Sequence, residues 1–170
     1  SCAAGVAVST EDGSDAVYIT DFFSVKKVDG FTGEVTTMKS SHAQGSHIAY
    51  PSTISVYKDN LVLTSPVTGT VQVIDRKTNQ SKSMFDGFKA PGHALMMDDG
   101  SIIVAEMGTG NLLKVKGKEG EDRTVIAKKL IAPGYLLPAG ENAVYITEIV
   151  AGTISRIDLS NGKKKVIAKA

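Results

Sequence analysis

The sequence predicts an all-β chain: a β-propeller of four-stranded antiparallel blades, present as four repeats of about 40 residues. Three observations predict it. One strand motif returns four times within 170 residues. Gly, Pro, Asn and Asp turn signals separate the apolar runs at strand length. The apolar alternation keeps a period near two, and no stretch of ten or more residues holds a 3.6 period.

Each unit opens on a short apolar run. The four runs are Gly5-Val6-Ala7-Val8, Thr53-Ile54-Ser55-Val56, Gly92-His93-Ala94-Leu95 and Gly134-Tyr135-Leu136-Leu137. Three follow a proline, namely Pro51, Pro91 and Pro133. The second run carries the clearest echo: Ala16-Val17-Tyr18-Ile19-Thr20-Asp21 returns as Ala143-Val144-Tyr145-Ile146-Thr147-Glu148. Asn60–Ser65 and Ser101–Glu106 fill the same slot. A Gly step (Gly69-Thr70, Gly110-Asn111, Gly152-Thr153) leads into a third run, as in Val71–Asp75 and Ile154–Asp158. A polar turn then precedes a last strand such as Thr124–Ala127 or Lys165–Ala168. Ala127-Lys128-Lys129-Leu130 has the composition of one helical turn and is the sole helical expectation.

With Gly5, Thr53, Gly92 and Gly134 in register, the steps are 48, 39 and 42 residues, and 36 remain. The blades therefore run at about 3–50, 51–90, 91–132 and 133–170, as one propeller domain or part of one. A four-stranded unit of this size cannot bury both sheet faces alone, so neighbouring units must pack face to face. A sandwich would not explain four copies of one pattern.

Composition excludes several classes. Nineteen Lys and Arg stand against 18 Asp and Glu, spread evenly for a net charge of +1, so no basic footprint for nucleic acid exists. No apolar run approaches the ~20 residues of a membrane-spanning helix. The one cysteine, Cys2, cannot form an internal disulfide or a Cys-based zinc site.

The blade pattern is Pro-x-Gly, apolar run, Asp-Gly turn, apolar run, acid, Gly-Thr, then a run ending in Asp. Asp99–Glu106 and Gly152–Asp158 carry it best. It resembles the NHL and SMP-30/gluconolactonase-like group of β-propellers along essentially the whole chain. That resemblance implies a lactonase, a lyase or a non-enzymatic binding module, and fold does not choose among them. It also implies rings of about six blades. The four units here are therefore expected to be an incomplete or designed segment of a larger ring, or to self-associate to complete one, ahead of closing by themselves as a four-blade monomer. The start at Ser1 instead of Met, with the habits of the group, gives a secreted or periplasmic address as an expectation.

In the lactonases of that group, the slot before each first strand would hold calcium or zinc ligands. Here it holds Ala4, Ser52, Pro91 and Pro133, none of them a carboxylate or amide. No cofactor is expected, and Ca or Zn enters only with an enzymatic alternative.

Antiparallel pairing puts the loop leading into each first strand on the same mouth as the loop leaving the second. The second strands end on Asp21, Ser65, Glu106 and Glu148. Repeated acids here either ring a cation or accept hydrogen bonds from their own following loops, and repetition favours the second role. Unit one carries an extra loop, Ser40–Ile48, holding His42 and His47. His93 lies in a first strand, with Tyr135 as its repeat equivalent. Imidazoles near carboxylates suit acid–base chemistry or metal binding, although His-x4-His is a weak metal spacing. Phe22-Phe23 replaces the Gly-Thr loop and would contact a ligand or pack on a neighbouring blade. Met84, Met96, Met97 and Met107 read as filler, and Lys163-Lys164-Lys165 as a solvated hairpin tip. No Gly-x-Ser-x-Gly elbow exists, and Gly108-Thr109-Gly110-Asn111 reads as a turn between strands.

The expected function is a binding or interaction module. A small-molecule or protein ligand would sit on the face of the loops leading into the inner strands, near His42, His47, His93, Glu106, Tyr135 and Glu148. The alternative is a lactonase-like, metal-dependent hydrolase or lyase, its cation held by Glu106, Glu148 and the loop histidines.

Overall fold

The computed structural model describes residues 3–10, 15–41, 48 and 50–169. Their sixteen strands form four antiparallel sheets, each built from four consecutive strands, with no helix among the described residues. Blade 1 is β1 (Ala3–Ser9), β2 (Ala16–Asp21), β3 (Ser24–Asp29) and β4 (Val35–Ser40). Blade 2 is β5 (Thr53–Tyr57), β6 (Asn60–Ser65), β7 (Thr70–Asp75) and β8 (Ser81–Phe85). Blade 3 is β9 (Pro91–Met96), β10 (Ile102–Glu106), β11 (Asn111–Lys116) and β12 (Asp122–Ala127). Blade 4 is β13 (Pro133–Pro138), β14 (Ala143–Glu148), β15 (Thr153–Asp158) and β16 (Lys164–Lys169).

The first strands pack side by side, β1 on β5, β5 on β9 and β9 on β13, so they lie innermost around a common axis. The period-two alternation then sorts each blade into two faces. In blade 2, Ile54, Leu61, Leu63 and Ile74 face blade 1 and pack with Ala16, Tyr18, Val25 and Ile48. Its opposite face, Val62, Val71, Val73 and Phe85, packs with Ala94, Ile102, Val104, Leu113 and Val115 of blade 3. Blade 3 in turn presents Leu95, Ile103, Leu112 and Ala127 to Leu136, Val144, Ile146 and Ile157 of blade 4. Each interface is an interleaved apolar layer, and apolar burial drives it.

The connections between blades are straps bonded on both sides. Phe88 donates its N–H to Gly69 O of the blade it leaves (3.1 Å), and its ring enters the core between blades 2 and 3. Leu130 repeats this one blade later, with its N–H on Gly110 O at 2.9 Å. Tyr50, Ala90 and Ala132, each directly before a proline, all adopt left-handed φ, at 41°, 50° and 49°.

Three expectations change. Lys129 is also left-handed at φ 61°, and Leu130 turns inward as the strap's apolar plug, so 127–130 makes no helical turn. The glycine register slips by one in blades 3 and 4. Thr53 pairs with Thr64, whereas His93, not Gly92, pairs with the equivalent Ala105, so the register follows the prolines, with Thr53, His93 and Tyr135 each two residues after Pro51, Pro91 and Pro133. Lys164 belongs to β16 and reaches Glu148 at 3.0 Å, so it is not a solvated tip. Of the methionines, Met96 and Met97 pack against cores while Met84 is 45% exposed and fills nothing. Phe22 and Phe23 are both half exposed, and the Phe23 ring meets Tyr50 edge-on at 6.2 Å.

Gly110 has φ +69°, and a Cβ there would stand 2.5 Å from Leu130 O. Gly100 has φ +76°, with nothing within 4 Å of an added Cβ. Gly100→Ala should therefore cost about 1–2 kcal/mol, the penalty of left-handed backbone alone. Gly110→Ala should add roughly 1–3 kcal/mol of overpacking against rigid backbone. Urea-denaturation midpoints of the two variants check this contrast.

Candidate functional site

The inner strands wall an axial cleft of about 440 Å³. Val6 and Val8 contribute from β1, Ile54 and Val56 from β5, His93 and Leu95 from β9, Tyr135 and Leu137 from β13. The lining is apolar apart from Ser55, His93 and Tyr135. The His93 and Tyr135 rings lie against each other, centroids 5.3 Å apart and planes tilted by 37°.

Strand register explains the pair. His93 lies just after the irregularity in β9, and Tyr135 occupies the same place in β13. The His93 ring spans three blades. It approaches Ile54 O of blade 2 through Nε2 at 3.3 Å, and Leu136 N–H of blade 4 points to Nδ1 at 3.4 Å. An accepting Nδ1 and a donating Nε2 describe neutral imidazole. Burial agrees, lowering the pKa from 6.5 to about 4 against the Ile54 carbonyl, which works to raise it. The Tyr135 ring is half exposed, its hydroxyl 3.4 Å from Ala4 O across the cleft.

Hydroxyls tie the inner strands on the blade 2 side. Thr53 and Thr64 share a hydrogen bond at 2.5 Å, and the hydroxyl that does not donate to its neighbour donates to Gly92 O, which lies 3.0 and 3.1 Å from the two oxygens. Ser55 donates to Ala94 O at 2.7 Å. These bonds satisfy carbonyls that a strand facing the axis would otherwise leave without partners.

Glu106 and Glu148 sit at the ends of their second strands and are buried. Neither is paired with His93. Glu106 Oε1 accepts from the Lys89 N–H at 2.7 Å, and Thr109 donates to Oε2. Glu148 Oε1 accepts from the Ile131 N–H at 3.0 Å, Ser155 Oγ donates to Oε2 at 2.9 Å, and Lys164 Nζ bridges both oxygens. Burial works to raise the Glu148 pKa, but Ile131, Lys164 and Ser155 outweigh it and hold the carboxyl below its ordinary value. The backbone N–H groups belong to the incoming strap, not to the acid's own following loop. Only Asp21 follows the simpler pattern, accepting from the Phe23 N–H at 2.8 Å and Ser24 Oγ at 2.9 Å.

Of the six residues singled out from the sequence, the structure brings His93 and Tyr135 together in the cleft and commits Glu106 and Glu148 to the straps. His42 and His47 lie outside the described residues. Among the described residues no three His, Cys, Asp or Glu side chains converge as a metal site would require. The sequence reading missed the apolar walls, Val6, Val8, Leu95 and Leu137. Their signal was present as apolar residues on both faces of the first strands, where a sheet with one wet face shows one.

No family model matches the chain, and no curated protein does. Solved structures match in fold. A streptogramin B lyase superposes with a TM-score of 0.74 at 16% identity, over 96% of this chain and 53% of that one. The virginiamycin B lyase of Staphylococcus aureus gives 0.72 at 19%, over 99% and 55%. The hydrazine synthase of Kuenenia stuttgartiensis gives 0.72 at 16%, over 97% and 49%. The chain thus spans about half the length of the structures it matches, and at these identities the likeness shows the propeller fold alone.

The pH dependence of stability follows from His93. Its folded pKa of about 4 lies below the 6.5 of the free group, so between those values the unfolded chain binds the proton preferentially. Stability is full above pH 6.5 and declines as pH falls toward 4, by roughly 3 kcal/mol in all. Urea midpoints should fall across this window for the native sequence. In His93→Gln the slope between pH 6.5 and 4.5 should flatten. Asp75 and Asp99, held low by hydrogen bonds and lysines, contribute only at more acid pH.

Proposed function

We propose that the chain is a propeller binding module that takes an apolar or aromatic group of its ligand into the axial cleft. The group enters from the face of the loops leading into the inner strands. The supporting observation is the His93–Tyr135 pair, two polar rings in a cleft of about 440 Å³ with mostly apolar walls from all four blades. Ligand pockets commonly have this composition, apolar walls with a few placed polar groups. Tyr135 offers a ring face for stacking and a hydroxyl for orientation. Neutral His93 holds that ring from behind.

Indole, titrated into 15N-labelled chain, is the probe. Amide shifts should cluster at residues 6–8, 93–95 and 135–137, and Tyr135→Ala should raise Kd about five- to tenfold, the worth of one stacked ring. Shifts confined to other surfaces, or an unchanged Kd in Tyr135→Ala, would sink the reading.

A second reading is a lactonase-like hydrolase or lyase, favoured by the likeness in fold to two proteins named as lyases. It needs Glu106 and Glu148 on a cation, against their present bonds to the straps. Incubation with virginiamycin B plus Ca2+, Zn2+ or Mg2+ tests it. Product that vanishes in Glu148→Gln, with that variant still folded, would carry it, and no product would refute it.

A further inference from the structure

The geometry points to a second copy of this chain as the completion of the ring. The outer face of blade 4 in each copy would pack on the outer face of blade 1 in the other, about a two-fold axis.

Both faces match, position for position, faces that are buried elsewhere in the same molecule. On blade 1, Val6, Val8, Val17, Ile19 and Val28 share one face by register. Their equivalents in blade 2 are Ile54, Val56, Leu61, Leu63 and Ile74, which pack against blade 1. Yet Val6 is 66% and Val8 56% exposed. On blade 4, the positions of Leu95, Ile103, Leu112 and Ala127 are held by Leu137, Tyr145, Ile154 and Ala168. The blade 3 set is buried against blade 4, whereas Leu137 is 65%, Ile154 43% and Tyr145 38% exposed. A cleft of about 410 Å³ bounded by Ile149, Ile154 and Ala168 also opens on this side.

The two faces are of opposite kind. One is the face a blade turns to its predecessor, the other the face it turns to its successor. Neither fits itself, and each fits the other. Two copies joined head to tail therefore make both contacts at once and leave no face open, which is a closed arrangement. This chain covers 53% and 55% of two of the matched structures, so two copies, eight blades in all, make a ring somewhat larger than either. A face of four strands about six residues long measures about 380 Å², so two faces give about 760 Å² per copy, near the ~800 Å² per partner of a stable complex. Val6, Val8, Tyr135 and Leu137 line the cleft at the two ends of the arc, which the Tyr135 hydroxyl bridges to Ala4 O at 3.4 Å. The proposal deepens the binding reading, but its test does not depend on any ligand.

Mass by light scattering and sedimentation, at about 100 µM chain, is the first measurement. The expected species is a dimer of twice 17.9 kDa. A strict monomer overturns the proposal, and an open ladder of oligomers overturns it too. Val8→Asp and Leu137→Asp then separate head-to-tail from other dimers. Both sites are exposed, so each variant folds, as circular dichroism would verify. Each alone should be monomeric, because both of its contacts carry the change. Mixed together, they should recover dimer, because one contact collects both aspartates and the other is native. Failure of the mixture to associate overturns the head-to-tail arrangement.

Discussion

The strap between blades is the constraint on which the rest of the structure depends. Phe88 and Lys89 show how it works. The N–H of Phe88 bonds back to Gly69 in blade 2, and the next N–H, of Lys89, bonds forward to the Glu106 carboxylate in blade 3. Leu130 and Ile131 repeat the pattern with Gly110 and Glu148. Consecutive peptide groups thus hold two sheets at once, while the intervening side chain fills the gap between them. A buried carboxylate is tolerable only with several donors, and each of these has them. The charge is therefore not spare chemistry. It fixes where each inner strand begins.

That fixed start is what builds the cleft. With Pro91 opposite Glu106 and Pro133 opposite Glu148, the following irregularity in β9 and β13 places His93 and Tyr135 at the same height beside the axis. His93 then bonds weakly to blades 2 and 4, and Thr53, Ser55 and Thr64 secure the carbonyls between β5 and β9. The left-handed residues before Pro51, Pro91 and Pro133 cost about 1–2 kcal/mol each. Their recurrence at one place in every strap shows that the bonds around them outweigh that strain.

The repeat, the four-stranded blades and the turns were legible because they are written in local chemistry. A Gly before Thr70, Asn111 and Thr153, and alternation along Val71–Asp75, need no tertiary knowledge. The one-residue slip at Gly92 and Gly134 was hidden by setting glycines in register, whereas counting from Pro51, Pro91 and Pro133 aligns Thr53, His93 and Tyr135 as the pairing does. Likewise the sequence marked Glu106 and Glu148 as repeated acids, but not which N–H groups they hold, since Lys89 and Ile131 lie 17 residues upstream. Lys164 shows the same limit, a lysine in a basic run whose partner, Glu148, is reached only across β15. The pairing of His93 with Tyr135 was half visible as repeat equivalence, and their contact needed the fold.

Among the described residues, every ladder closes within one stretch of about 40 residues, and every core joins blades adjacent in sequence. Energetically the arc is therefore a one-dimensional lattice, a sum of unit and neighbour contributions. Copying one unit with its strap adds one site to that lattice without disturbing the others. Blade number is then a quantity that duplication can change in whole steps, and the diameter of the axial opening changes with it.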